Sequence, residues 1–339
     1  MDHLSRSLLN CYTLQGLDRK AELRSDTQWI ADQLASPDVG FLPIWRGHTV
    51  VTGAGGSADG NSGTIVPLSS DAVAAEASLK QSGEPIFLGV HPDGPRFALP
   101  VNGAIADLPE QLARFGEMMD LRTAGRELHP AEASVFAHAK ALSEWQERHR
   151  FCPACGSPNK VADAGHVLKC SGEDCGRSQF PRMDPAIIVR VVHENKILLG
   201  RQAVWAPHQY SVVAGFVEPG ESLEQAVVRE VEEETGVPVV EVHYQSSQPW
   251  PFPGNIMLGF AAVASDDQIS LNDDELEHAR WFTREEIVAG LNERSLRVPP
   301  NISISFRLIE HWFNDGGGDT LLEVTQRAGY EWTPPPQSS

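Results

Sequence analysis

Cysteine is scarce in this chain, with five residues in 339. That is too few for a disulfide scaffold at this length. Four of the five fall in one short window, which points to metal rather than to oxidation. Basic residues are also in deficit: Lys plus Arg number 27 against 46 Asp plus Glu, a formal charge of −19. The chain therefore lacks the footprint of a duplex-binding protein, and any phosphorylated ligand needs a metal bridge or a local arginine. Long apolar runs are missing too. None approaches the roughly 18 residues that cross a bilayer, and no basic flank with an apolar stretch follows Met1. The expectation is a cytoplasmic protein with no membrane association.

What is present is an ordinary globular composition, long enough for about two domains that each bury a core. Residues 1–126 read as a mixed α/β domain. Strands are expected at 41–45 and 48–52, joined onward by a Gly/Ser-rich hairpin connection at 53–63, and again at 85–90 and 96–99 around the turn 92–95. Residues 127–150 form a connecting helix: Ala131, Val135, Ala139, Leu142 and Trp145 follow helical spacing behind Pro130. The cysteine window occupies 151–182 and a second domain 183–315, with strands expected at 186–192, 196–199 and 210–213 and a late helix at 303–313. Residues 316–339 are a tail whose end, 333–339, has the composition of a disordered segment.

Cys152 and Cys155 form one close pair, and Cys170 and Cys175 a second. Two pairs on tight turns can converge into a tetrahedral four-sulfur site, the arrangement Zn²⁺ favours. Four thiolates close the coordination sphere, so one structural Zn²⁺ per chain is expected rather than a catalytic ion.

The most specific segment is acidic. Ser222 can cap a helix with Gln225 reaching back to it, and the helix runs over Leu223–Thr235 until Gly236 supplies a left-handed exit. Leu223, Ala226, Val227 and Val231 form its inward stripe, and Glu230, Glu233 and Glu234 continue that stripe. Carboxylates in place of core residues repel one another unless a cation sits among them. Hard oxygen ligands imply Mg²⁺ or Mn²⁺, and Arg229 lies four residues before Glu233, placed to hold it.

Gly215, Glu221, Arg229-Glu230-Val231, Glu233-Glu234 and Gly236-Val237 fill every specified position of the Nudix box. The chain thus resembles the Nudix hydrolases, which cleave nucleoside diphosphates linked to another moiety. The resemblance implies an α+β chain whose C-terminal domain is an α/β/α sandwich. It assigns catalytic metal ligation to Glu230 and Glu234, with Glu233 a further ligand or a proton acceptor. It counts Arg229 and Glu221 among the catalytic residues, adds the Ala214 carbonyl to the metal site, and gives the distal carboxylate to Glu275. Ten residues beyond the box, Ser247-Gln248-Pro249-Trp250-Pro251-Phe252-Pro253 resembles the signature of the NADH pyrophosphatase branch. That branch also carries a four-cysteine zinc ribbon and a rudimentary Nudix-like domain ahead of it, matching 151–182 and 1–126. Gly254-Asn255 stands where the signature usually ends in serine. The resemblance implies substrate contacts from Gln248, Pro249, Trp250, Pro251, Phe252, Pro253, Gly254 and Asn255, with Phe216 stacking on a base and Phe180 following the ribbon. Arg122 matches an upstream substrate arginine or is a surface ion pair. Ser305 matches a late contact or is a helix cap.

The activity expected from the resemblance is hydrolysis of NADH, and of NAD⁺, to the mononucleotide and AMP, by a homodimer. The same bond in NAD-capped RNA is a chemically equivalent target. Two rivals stand beside it: a diphosphatase for another nucleotide such as ADP-ribose, and a binding module in which the ribbon makes the contacts and the box only senses a ligand.

Overall fold

Asp2 caps the first helix: its carboxylate accepts the Ser5 N–H at 2.8 Å, and α1 (His3–Leu8) follows. A computed structural model describes residues 1–14, 16–53, 62–271 and 275–329. Within them the chain divides into two units. One joins Met1–Asn10 to Asp184–Gln248 and the chain from Asn255 onward; the other is Cys11–Met183 with Pro249–Gly254. Residues 1–10 therefore fold with the C-terminal unit, not with the N-terminal domain to which 1–126 was ascribed. The reason is polar: Asn10 donates to the Ser247 carbonyl at 2.9 Å, and the Ser7 hydroxyl accepts the Ser247 N–H at 3.1 Å.

The N-terminal unit holds α2 (Thr27–Leu34), β1 (Gly40–Ile44), β2 (His48–Thr52), β3 (Thr64–Ile65), α3 (Ser70–Ala75), β4 (Ile86–His91), β5 (Gly94–Pro100), α4 (Leu108–Leu112), β6 (Glu117–Asp120), α5 (Leu121–Glu127) and α6 (Pro130–Arg148). Its strands make two small sheets, β1-β5-β4 and β3-β2-β6. β2 pairs antiparallel with β3, as a hairpin requires; most of the expected connection at 53–63 lies outside the described residues. Helix α6 is more than a connector. Phe136, Ala139 and Leu142 pack with Leu42, Ile86, Leu88 and Ala98 in one core. The ribbon follows as β7 (Asn159–Ala162), β8 (Val167–Cys170) and β9 (Ser178–Gln179), one antiparallel sheet.

The C-terminal unit is built on β10 (Asp184–His193), β11 (Lys196–Arg201), β12 (Val213–Phe216), β13 (Val239–Trp250), β14 (Asn255–Ala264) and β15 (His278–Phe282), in the order β13-β14-β10-β11-β15, with β12 paired to β10. Strand β12 starts where 210–213 was expected to end. Residues 186–189 of β10 pair with 213–216, so the register of that ladder fixes the span. Alternation along β10 makes the layers. Ile187, Val189 and Val191 pack with Ala226, Val227 and Val231 of α7 (Leu223–Thr235). Ile188 packs with Ile304, Phe306 and Leu308, which belong to α9 (Ile304–Asn314) beside α8 (Arg284–Asn292). The result is an α/β/α sandwich. Residues 316–329 are no simple tail: α10 (Leu321–Arg327) buries Leu321 and Val324 in the same core. The segment 333–339 lies outside the described residues.

Candidate active site

Helix α7 is specified locally. The Ser222 hydroxyl accepts the Gln225 N–H at 3.2 Å, the Gln225 amide accepts the Ser222 N–H at 2.8 Å, and Gly236 leaves the helix at φ 67°. Arg229 then closes the preceding loop onto the helix. Its guanidinium donates to both Glu221 oxygens at 2.7 and 3.1 Å and to the Phe216 carbonyl at 2.9 Å, with Glu230 and Glu233 each 3.0 Å away. A planar fork can serve that many acceptors at once where an ammonium cannot. Glu221 also accepts the Glu218 N–H at 2.7 Å, and the Arg229 hydrogen bonds hold its carboxyl below the usual range. Glu221 is thus a buckle between loop and helix.

Glu230 turns back over β12. A β-carbon on Gly215 would overlap its carboxylate group, so glycine is the residue that leaves room. Burial pushes the Glu230 carboxyl up; Glu233 and Glu275 add to this, against the pull of Arg229. Glu234 is 4% exposed in the α7 interface. Glu233 departs from the expected inward stripe: its side chain is 56% exposed. At 100° per residue it lies beyond the edge of the face that Glu230 and Glu234 share. Glu275, just ahead of β15, accepts a hydrogen bond from Gln202 at 3.3 Å. Gln202 carried no motif in the sequence. Ala214 sits in β12 opposite Ile188, and Phe216 ends that strand with its ring 57% exposed. Glu230, Glu234 and Glu275 carry hard oxygens of the kind a divalent metal takes, although among the described residues only the four ribbon cysteines already converge as a possible metal-holding group.

The expected contacts separate. Gln248 has no exposed surface: its amide donates to the Ile302 carbonyl at 2.7 Å and accepts the Ile304 N–H at 2.8 Å, so its side chain ties β13 to the start of α9. Ser305 is 2% exposed and shares a 2.7 Å hydrogen bond with Ser211. It is not the cap of α9, a role taken by Ser303, which accepts the Ser305 N–H. Asn255 opens β14 opposite Asp184.

In the N-terminal unit, Pro249–Gly254 lies against Tyr12, Arg122 and Lys140. Trp250 and Phe252 meet edge-to-face at 4.9 Å, and Arg122 stands 3.9 Å from the Phe252 centroid and 5.3 Å from that of Trp250. Arg122 is thus half-buried over aromatic rings and is not a surface ion pair, because the rings take the place of a carboxylate. Lys140 was missed in the sequence. Its signal was a lysine inside the apolar stripe of α6, four residues before Glu144. Phe180, beyond β9, is 67% exposed.

The four ribbon cysteines bring their sulfurs within 4.8 Å of one another, with Cys155 and Cys170 at 3.3 Å and Cys152 and Cys175 at 3.8 Å. Gly156 and Gly176 follow the two pairs at φ 75° and 54°, left-handed turns that glycine adopts freely, and the Gly172 N–H donates to the Cys170 sulfur at 3.3 Å. Hydrogen bonds from Ser157 hold the Cys155 thiol down to about 6. Four soft sulfurs gathered in this way suit a structural Zn²⁺.

Three family models cover these parts in turn. Residues 39–145 match the NADH pyrophosphatase-like rudimentary NUDIX domain, 147–180 the NADH pyrophosphatase zinc ribbon domain, and 181–301 the NUDIX domain. The NAD-capped RNA hydrolase NudC of Mycobacterium bovis is 38% identical over 252 residues, 70% of this chain and 78% of that protein. The NAD-capped RNA hydrolase NUDT12 of Homo sapiens is 42% identical over 197 residues, 55% of this chain and 43% of that protein. The chain thus spans less than half the length of the primate relatives it matches. It belongs to the Nudix hydrolase family, in the branch that joins a rudimentary Nudix domain and a zinc ribbon to a complete Nudix domain.

Proposed function

We propose that this chain is a metal-dependent diphosphatase that splits NADH, and NAD⁺, into the nicotinamide mononucleotide and AMP, and that it removes NAD caps from RNA 5′ ends. The observation that carries the reading is the Glu230 carboxylate seated over Gly215 on a helix whose box is complete. Mg²⁺ or Mn²⁺ bound there would offset charge on the pyrophosphate, orient a water and stabilise the leaving phosphate. Glu230, Glu234 and Glu275 present the oxygens, with the Ala214 carbonyl. Arg229 keeps the loop closed on the helix through Glu221. Glu233, exposed beside Arg229, serves as a further ligand or takes the proton of the attacking water. The segment ending at Asn255, together with Phe216 and Phe180, supplies recognition of the nucleotide. One Zn²⁺ per chain holds the ribbon, and reduced thiols of this kind favour a cytoplasmic protein. The formal charge of −19 leaves the cap as the main element recognised on an RNA. Branch membership favours a homodimer, which light scattering would test.

The experiment is to incubate the protein with NADH and Mn²⁺ beside a Glu234→Gln variant and resolve the products. AMP and reduced mononucleotide from the wild type alone support the reading. Asn255, where the signature usually has serine, favours one second reading. Survival of NADH with cleavage of ADP-ribose would move the activity there. Intact NAD-capped RNA in the presence of active enzyme would remove the de-capping extension.

A further inference from the structure

The segment Pro249–Gly254 has an unusual anchoring problem. Its three prolines have no N–H to give a sheet ladder, and its own short bond, from the Phe252 N–H to the Trp250 carbonyl at 2.7 Å, only tightens the turn. Beyond Trp250, where β13 ends, it is held through carbonyls and ring faces. Both are met by the rudimentary domain. Lys140 of α6 donates to the Pro251 carbonyl at 2.7 Å, and its ammonium lies 5.1 Å from the Phe252 centroid. Arg122 of α5 covers Phe252 at 3.9 Å. Tyr12 approaches Trp250 and Phe252 at 6.3 and 6.4 Å and is itself fixed by a hydrogen bond to the Leu121 carbonyl.

Lys140 is 7% exposed and paired with Glu144 at 2.7 Å. A buried ion pair of this sort adds little stability over an apolar pair of the same shape, because both charges are desolvated. Methionine would fill the space on α6 equally well but could not bind a carbonyl. What the lysine adds is a fixed donor at the Pro251–Phe252 peptide.

We propose that Lys140, with Arg122 beside it, is the positioning residue of the Pro249–Gly254 segment. The rudimentary Nudix domain, which carries no copy of the box, thereby contributes to nucleotide selection by holding the recognition segment in its working shape. This rests on the proposed diphosphatase reading, in which that segment contacts the nucleotide.

The test is Lys140→Met, read in two ways. Steady-state cleavage of NADH should show KM raised about ten-fold with kcat within about two-fold of wild type, the split expected when ground-state binding is lost. Hydrogen exchange should show faster exchange in the peptide spanning Pro249–Gly254 and Asn255, with the box helix unchanged. Lys140→Arg, which keeps a donor, should recover part of the KM. Should Lys140→Met melt early because Glu144 has lost its partner, the double variant Lys140→Met/Glu144→Gln is read by the same two criteria. Wild-type KM together with wild-type exchange would overturn the proposal, as would a fall in kcat at constant KM. Faster exchange in the variant of a protein that cleaves no NADH would count against the diphosphatase reading and leave the positioning role standing.

Discussion

The Glu230 carboxylate occupies the space that a β-carbon on Gly215 would need. Strand β12 and helix α7 are therefore matched at one atom: the glycine is required by the acid and not by its own backbone angles. Gly215→Ala should push Glu230 aside. We expect hydrolysis to fall at least about 100-fold, in the range for loss of a positioned catalytic group. The overpacking should cost about 1–3 kcal/mol of stability. Steady-state rates beside a urea melt check both, and a variant with wild-type rates would refute the match.

Arg229 serves Glu221, Glu230, Glu233 and the Phe216 carbonyl together. Arg229→Lys retains the charge and loses the fork, so it should not rescue what Arg229→Gln removes. Both should lower kcat by about 10-fold or more. Full activity in the lysine variant would show that charge alone suffices.

The ribbon predicts a different phenotype. Cys155→Ser removes a ligand from a closed four-sulfur site. Zinc measured by mass spectrometry should fall from about one per chain to near none, with a loss of several kcal/mol in stability. Because this zinc is structural, activity surviving at low temperature should keep the wild-type dependence on added Mn²⁺. A changed Mn²⁺ dependence would argue for a catalytic part.

His166 gives the pH dependence. It is 9% exposed, bonded through its ring to the Phe87 carbonyl at 2.7 Å, and burial holds it down to about 4. Burial also keeps the neighbouring His138 neutral, well below its ordinary range. Below pH 6.5 the unfolded chain takes up protons that the folded chain refuses. Stability therefore falls as pH drops from about 6.5 towards 4, by up to about 1.4 kcal/mol per pH unit for each histidine. His166→Gln keeps a donor for Phe87 and should flatten this acid limb relative to wild type. Chemical denaturation at pH 6.5, 5.5 and 4.5 would show it, and parallel limbs would exclude the assignment.

The box was legible as a spaced motif, and its cap and left-handed exit because those parts interact within about four residues. Helix periodicity alone then orders them, as Ser222, Gln225 and Gly236 show. The two cysteine pairs were legible for the same reason: each is a tight local turn. The layers of the sandwich could be expected from the family resemblance. What the sequence could not supply were relationships across long separations. The exposure of Glu233 depends on how far the sheet wraps α7. The span of β12 depends on its register with β10. The burial of Gln248 depends on backbone donors and acceptors 54 and 56 residues away. The grip of Lys140 on Pro251 spans 111 residues. Spacing is set by the local backbone, so sequence determined the capped helix that carries the box carboxylates and the two turns that pair the thiols. Burial and long-range hydrogen bonding are set by which surfaces meet, so only the tertiary structure decided which of the aromatic and polar candidates are held by the protein and which stand open to a ligand.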